Sequence, residues 1–235
     1  MIEITDLVKT FNKNTAVNIP ILKIEKGEIV GLIGNNGAGK TTTFRLMLDL
    51  IQADTGYVYL NGKDIVKNEE WKSITGSFID SNFLIDFYTP DEYFFFIGNA
   101  YRLNAKEINE RLTKFEKFMN GEILYQKKYI RNFSSGNKQK IGIIAAMMIH
   151  PKILILDEPF NYLDPSSQIE MKHLLQWVNR QFATTIFLSS HNLNYIHDTS
   201  SRIILLEKGF IIKDVYNNDL GDISDIYKYF DKSIT

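Results

Sequence analysis

Ile29-Val30-Gly31-Leu32-Ile33 runs without a break into Gly34-Asn35-Asn36-Gly37-Ala38-Gly39-Lys40-Thr41, and the segment TTTFRLMLDLI follows to Ile51. The first five residues read as a buried strand, and the last eleven carry apolar residues at helical spacing. Between them lies G-x-x-x-x-G-K-T, the spacing of a phosphate-binding loop in the context that such a loop needs. Glycines let the backbone wind closely round a phosphate chain. The N–H groups from Asn35 and Asn36 through Gly37, Ala38 and Gly39 to Thr42, with the helix N-terminus behind them, then meet negative charge with donors and positive dipole. Lys40 is expected to bridge the β- and γ-phosphates, and Thr41 to offer its hydroxyl to Mg2+.

A second stretch answers the first. Lys152 to Glu158 (KILILDE) is an apolar strand ending in two carboxylates, where a phosphate loop needs a metal ligand and a base. Asp157 reads as a direct or water-bridged ligand of Mg2+, and Glu158 as the base that polarises the attacking water. Alone, such a strand end is often only solvated, so the pairing with the loop carries the reading.

Outward from these motifs the chain organises itself. Ile2 to Val8 and Val17 to Ile24 read as strands, and Asn61-Gly62 within Tyr57 to Ile65 is a strong hairpin signal. From Asn82 to Phe133 the texture turns helical, with Asp91 to Arg102 and Ala105 to Met119 amphipathic. Helices are then expected at Gln139 to Ile149 and Ser166 to Phe182, strands at Ile153 to Leu156 and Thr184 to Ser189, and a hairpin at Ile203 to Val215. A stripe of Ile223, Ile226, Tyr227 and Phe230 gives the tail a helix packed on the core. The alternation predicts an α/β fold with a mainly parallel sheet covered on both faces, an N-terminal antiparallel part and an inserted helical subdomain. The expected division is a core at 1–81 and 134–220, the helical subdomain at 82–133 and the tail at 221–235.

Composition narrows the function. The chain has 235 residues, 44% of them hydrophobic, enough for one full core. Its 27 Lys and Arg against 28 Asp and Glu create no global field for nucleic acid or an anionic membrane. There is no cysteine, hence no disulfide or thiolate site, which suits a reducing compartment. The N-terminus lacks the pattern of a secretory signal. The longest apolar stretch, Ile141 to Ile149, is half of the roughly 20 residues that cross a bilayer, so the chain is not expected to be transmembrane.

The stretch DEPFNYLDP at Asp157 to Pro165 resembles the Walker B and D-loop of the ABC ATPases, DEPTxGLDP. Phe133-Ser134-Ser135-Gly136-Asn137 lies upstream where that family has its LSGGQ signature. His191 falls where the family has its switch histidine, and Phe11 where an aromatic stacks on adenine. The resemblance runs from Phe11 to His191 in the family's motif order, and implies a P-loop NTPase core, RecA-like and ABC-type. It implies an ATPase, with ATP and Mg2+ bound between two subunits arranged head to tail. Ser134 and Gly136 would touch the γ-phosphate of the partner's ATP, Asp164 would belong to the same interface, and His191 would donate to γ-phosphate. Taken alone, SSGN is a helix cap, and Phe11 could equally cover the core. Ser135 and Asn137 depart from the signature's Gly and Gln, and Asp80 stands where the family usually has Gln or Glu at the entrance to the helical subdomain.

The family's partner is a membrane-spanning permease that docks in a groove of the helical subdomain; the aromatics Phe83, Phe87, Tyr88, Phe94, Phe95, Phe96 and Tyr101 are too many for a solvated surface, so most are expected in the core and the remainder in that groove. The expectation is a bacterial-type subunit bound peripherally on the cytoplasmic side of the membrane, resembling drug and peptide exporters, paired with an identical or different ATPase subunit. Two alternatives stand beside it: a soluble non-transport ABC ATPase, and an ATP-binding regulatory module with weak turnover. A GTPase is excluded, since Asn137-Lys138-Gln139-Lys140 has Lys where guanine recognition needs Asp.

Overall fold

A computed structural model describes residues 1–217 and 220–232. Ile29–Ile33 (β3) is buried at every position, as is Ile153–Leu156 (β7), and so is the strand Thr185–Ser190 (β8). Such unbroken apolar runs belong in a parallel sheet covered on both faces. They lie side by side in a six-stranded sheet of order β10-β9-β3-β8-β7-β6, where β6 is Thr75–Phe78, β9 is Arg202–Glu207 and β10 is Phe210–Tyr216. All its pairings are parallel except β9 with β10. The register sets Ile33 beside Ser190 and Leu156 beside Leu188, so the segments that leave β3, β7 and β8 emerge together at the carboxyl edge, where α/β sheets bind ligands.

The N-terminal strands Ile2–Phe11 (β1) and Asn14–Ile24 (β2) join Thr55–Leu60 (β4) and Lys63–Asp64 (β5) in an antiparallel sheet of order β2-β1-β4-β5. Asn61 and Gly62 turn the β4–β5 hairpin with φ of +50° and +73°, a left-handed conformation that Asn and Gly enter more readily than other residues. The helix after the phosphate loop, Lys40–Met47 (α1), stops short of the expected Ile51 because Asp49 turns left-handed at φ +52°.

Strand β6 is absent from the expectations. Its sequence, Thr-Gly-Ser-Phe, shows no apolar run, yet it pairs parallel with β7. Gly76 makes this possible, since a Cβ there would lie 2.1 Å from the Ala146 carbonyl oxygen.

In the inserted segment, Pro90–Ala100 (α2) and Ala105–Leu112 (α3) each start with a full capping box, Thr89 with Glu92 and Asn104 with Glu107. The single helix expected over Ala105 to Met119 breaks into α3, a 3-10 turn at Thr113–Phe115 and the short helix Glu116–Met119 (α4). The tighter turn brings residues three apart onto one line, and Phe115 and Phe118 both bury. One apolar core runs from Phe94, Ile108 and Phe115 through the long helix Ser135–Met148 (α5) to Leu154 and Leu188. Helix α5 begins at Ser135, four residues before the expected start. The helices Pro165–Phe182 (α6), Leu193–His197 (α7) and Leu220–Lys232 (α8) complete the order. In the tail helix Ile226 is buried and the Tyr227 hydroxyl donates to Asn194 Oδ1 at 3.0 Å, while the Ile223 side chain lies outside the described residues. No helix among the described residues is long and apolar enough to cross a membrane.

Candidate active site

The loop between β3 and α1 winds round a cavity of about 220 Å3, lined by Ala16, Asn36 to Thr42 and Glu158. Gly39 takes φ +107°, and a Cβ on it would meet the Ala16 carbonyl oxygen at 2.3 Å, so only glycine lets β2 close one side of the cavity. Lys40 is buried. Its ammonium donates to the Gly34 carbonyl at 2.7 Å and lies 3.4 Å from Glu158 Oε1.

At the end of β7, Asp157 is buried and accepts from the Thr41 hydroxyl at 2.5 Å and from the Ser189 hydroxyl. Burial pushes its carboxyl above the ordinary value, and the hydroxyls of Ser189 and Thr41 oppose that rise. Two hard oxygen donors, one of them a carboxylate in want of a cation, fit Mg2+ completed by phosphate oxygens. Among the described residues no cluster of three or more His, Cys, Asp or Glu offers another metal site. Glu158, next in sequence, has left-handed φ of +48°, and its carboxylate turns to His191, whose Nδ1 lies 2.9 Å from Oε2. The structure thus joins Lys40, Thr41, Asp157, Glu158 and His191 by direct contact.

Two residues at the centre of this network were not singled out from the sequence. Ser189 bonds Asp157 and also accepts the Glu158 N–H at 2.9 Å, and its only signal was the pair of serines that ends TTIFLSS. Gln139, read only as the start of a helix, donates from Nε2 to the Glu158 carbonyl at 3.0 Å.

Other expected site residues stand apart from the cavity. Phe11 ends β1 about half exposed, with the Lys9 ammonium 5.4 Å from its ring centre. Asp80 accepts the Asn82 N–H at 2.9 Å and caps the turn Ser81–Phe83. Ser134 caps α5 by accepting the Asn137 N–H, so the helix-cap reading of SSGN holds within the chain, and Gly136 sits in the first helical turn, where a Cβ would meet the Tyr162 carbonyl oxygen at 2.6 Å. Asp164 caps α6, and bonds from Ser166 and Ser167 hold its carboxyl well below the usual carboxylate range. Asn35 accepts the Ala38 N–H through its carbonyl and shapes the loop from within.

The family model described as ABC transporter matches residues 17–161. The bacitracin transport ATP-binding protein BcrA of Enterococcus faecalis is 34% identical over 99% of this chain and 75% of its own length. The chain belongs to the ABC transporter family. NatA of Bacillus subtilis (strain 168), an ABC transporter ATP-binding protein, is 33% identical over 90% of this chain and 88% of its own. Among solved structures, an ATP binding subunit of an ABC transporter superposes with a TM-score of 0.82 at 28% identity, over 97% of this chain and 93% of that one. A dimeric bacterial ABC transporter cassette shares the fold with the same score, 0.82, at 23% identity over 92% and 99%. As an ABC ATP-binding subunit the chain binds and hydrolyses ATP.

Proposed function

We propose that this ABC subunit works as one half of an ATP-clamped dimer and drives export of a peptide or drug through a separate membrane-spanning permease, bound peripherally on the cytoplasmic side of the membrane. The observation that carries the reading is the one-sided site. Lys40, Thr41 and Glu158 line one cavity, with Asp157 bonded to Thr41 and His191 in contact with Glu158, while Ser134, Gly136 and Asp164 neither line it nor bond a side chain of this set. A second subunit laying Ser134 and Gly136 over the open side completes the shell round the γ-phosphate. The Ser134 hydroxyl accepts from Asn137, which leaves its own hydrogen for a phosphate oxygen.

In the reaction Lys40 leaves the Gly34 carbonyl for the phosphates, and the Glu158 carboxylate takes the proton of the attacking water. The His191 contact fixes the direction in which that carboxylate points. Thr41 and Asp157 would hold Mg2+, which, when bound, neutralises charge gathering on the phosphate oxygens. Phe11 stacking on adenine is consistent with its exposed face, and Asn35 to Thr42 would cradle the phosphates.

A groove of about 230 Å3 between β6 and the helical subdomain supports the permease reading. Leu50, Phe83, Ile97 and Tyr101 line its walls, and Gly142 and Ala145 form its floor. Its apolar lining would receive side chains from one face of a short helix laid across it. Similarity to a bacitracin transport protein favours peptide export.

Gel filtration tests the dimer: Glu158→Gln with Mg-ATP should elute as a dimer, and the same variant carrying Ser134→Arg as a monomer. Monomeric elution of both would refute the clamp. Membrane extracts test docking, since the chain should co-purify with a polytopic membrane protein and lose it on Phe83→Glu.

A further inference from the structure

The Glu158 backbone lies in the left-handed region, which an L-residue other than Asn or Asp enters at a cost of about 1–2 kcal/mol. Something must hold it there, and the holders are side chains from two other elements. Ser189 on β8 accepts the Glu158 N–H at 2.9 Å, and Gln139 on α5 donates Nε2 to the Glu158 carbonyl at 3.0 Å. The Asn161 N–H also reaches that carbonyl, at 3.1 Å, but it belongs to the same turn and moves with it. Gln139 is therefore the tie on the carbonyl side that is anchored outside the turn. It is 6% exposed, in the first turns of a helix buried without interruption from Gln139 to Met148, so its amide is rigidly placed.

We infer that Gln139 is a positioning residue for hydrolysis, fixing the peptide after Glu158 and thereby the carboxylate between Lys40 and His191. The inference rests on Glu158 acting as the base. Geometry makes the role consequential: Oε1 lies 3.4 Å from Lys40 and Oε2 lies 2.9 Å from His191, so rotation of the Glu158 peptide moves the carboxylate off both. A misplacement of about 1 Å can cost about 10²-fold in rate. Gln139 also shares a helix with Ser134 and Gly136, five and three residues before it. Whatever engages that N-terminus from outside bears on the same helix that holds the base of this chain's own site. Sensing at one site and base placement at the other thus share one rigid body.

The test compares Gln139→Met, which keeps length and loses the donor, with Gln139→Glu, using the full chain. Single-turnover hydrolysis by the Met variant should slow about 10-fold, with ATP affinity unchanged and a thermal midpoint close to wild type. The glutamate variant supplies a readout that a packing role would not move. Its carboxylate faces a carbonyl oxygen and repels it, whereas the protonated acid donates, and burial raises the pH at which the proton is taken up. Its rate relative to wild type should therefore climb as pH falls from 8 to 5.5. A Met variant as fast as wild type overturns the inference, as does a glutamate-to-wild-type ratio flat across pH, which remains measurable even if the Met variant folds poorly. Glu158→Gln in the same assay tests the base itself, so failure of that reading shows as a Glu158→Gln variant as fast as wild type, and failure of this inference as a slowed Glu158→Gln beside unaffected Gln139 variants.

Discussion

Replacing Glu158 by Gln separates the two things its carboxylate does. In the proposed reaction it is the base, and it is also the anion that Lys40 faces before nucleotide arrives, at 3.4 Å with both side chains largely shielded from solvent. At an effective dielectric constant of about 20, that separation corresponds to a gross attraction of about 5 kcal/mol. Most of this is offset by desolvation and by the Gly34 carbonyl that Lys40 also holds, which leaves a net of about 1 kcal/mol. An incoming phosphate must draw Lys40 from that carboxylate and tolerate its charge. The neutral amide removes both obstacles, so ADP, which has no γ-phosphate to close a dimer, should bind Glu158→Gln about 5-fold more tightly than wild type. Calorimetric titration without Mg2+ measures this on the single chain. In single-turnover hydrolysis of Mg-ATP the same variant should lose about 10²-fold to 10⁴-fold, the range for a missing general base. Unchanged or weaker ADP binding would refute the resting ion pair as an obstacle to phosphate, and hydrolysis within tenfold of wild type would remove Glu158 as the base.

Asp157→Asn should abolish the effect of Mg2+ on ATP affinity yet stabilise the empty chain. Burial raises the Asp157 carboxyl, so the folded state holds its proton more tightly and native stability gains as pH falls through that raised value; the amide takes this gain at every pH, and about 1 kcal/mol reads as about 2–4 °C in a melting curve. His150, stacked on Phe182 with ring centres 4.0 Å apart, is held down to about 4 by burial and then by the Arg111 charge. Its neutral ring supports the fold fully above the ordinary value near 6.5 and loses that support as pH falls toward 4, a loss of about 2 kcal/mol after allowance for partial exposure. Denaturant midpoints of His150→Gln should therefore fall less steeply over this window than those of wild type. Asp80→Asn and Asp80→Glu should both hydrolyse ATP normally as free subunits, because the side chain serves the turn Ser81–Phe83, and a defect should emerge only with the permease bound. A slow free Asp80→Asn subunit with an intact melting curve would contradict this.

What could be read from the sequence is what the chain places by itself over a few residues. The phosphate loop is local: its glycines, Lys40 and Thr41 fix one another's geometry through a strand, a turn and a helix start, and each lies where the spacing puts it. The Asp157–Glu158 pair was legible for the same reason, as two polar residues ending an apolar strand. Residues that act through register were not. Ser189 meets Asp157 only because β7 and β8 pair with Leu156 beside Leu188, and nothing in TTIFLSS states which strand will be its neighbour. Gln139 meets Glu158 only because α5 crosses the end of β7, and β6 escaped notice because Gly76, packed against the Ala146 carbonyl of α5, and the exposed Ser77 interrupt the apolar pattern.

A different limit applies to Ser134, Gly136 and Asp164. Each has a sufficient task inside the chain, capping α5, admitting the Tyr162 carbonyl or capping α6, and those tasks alone would select a small polar residue, a glycine and an aspartate. Their pattern in the sequence is more specific than the tasks require. Many residues cap a helix, but a cap five residues before a buried Gln that holds the Glu158 carbonyl joins an exposed helix end to the proposed base. That surplus of specification is what a site shared between two chains would leave in each of them, since every chain carries the half it offers as well as the half it uses.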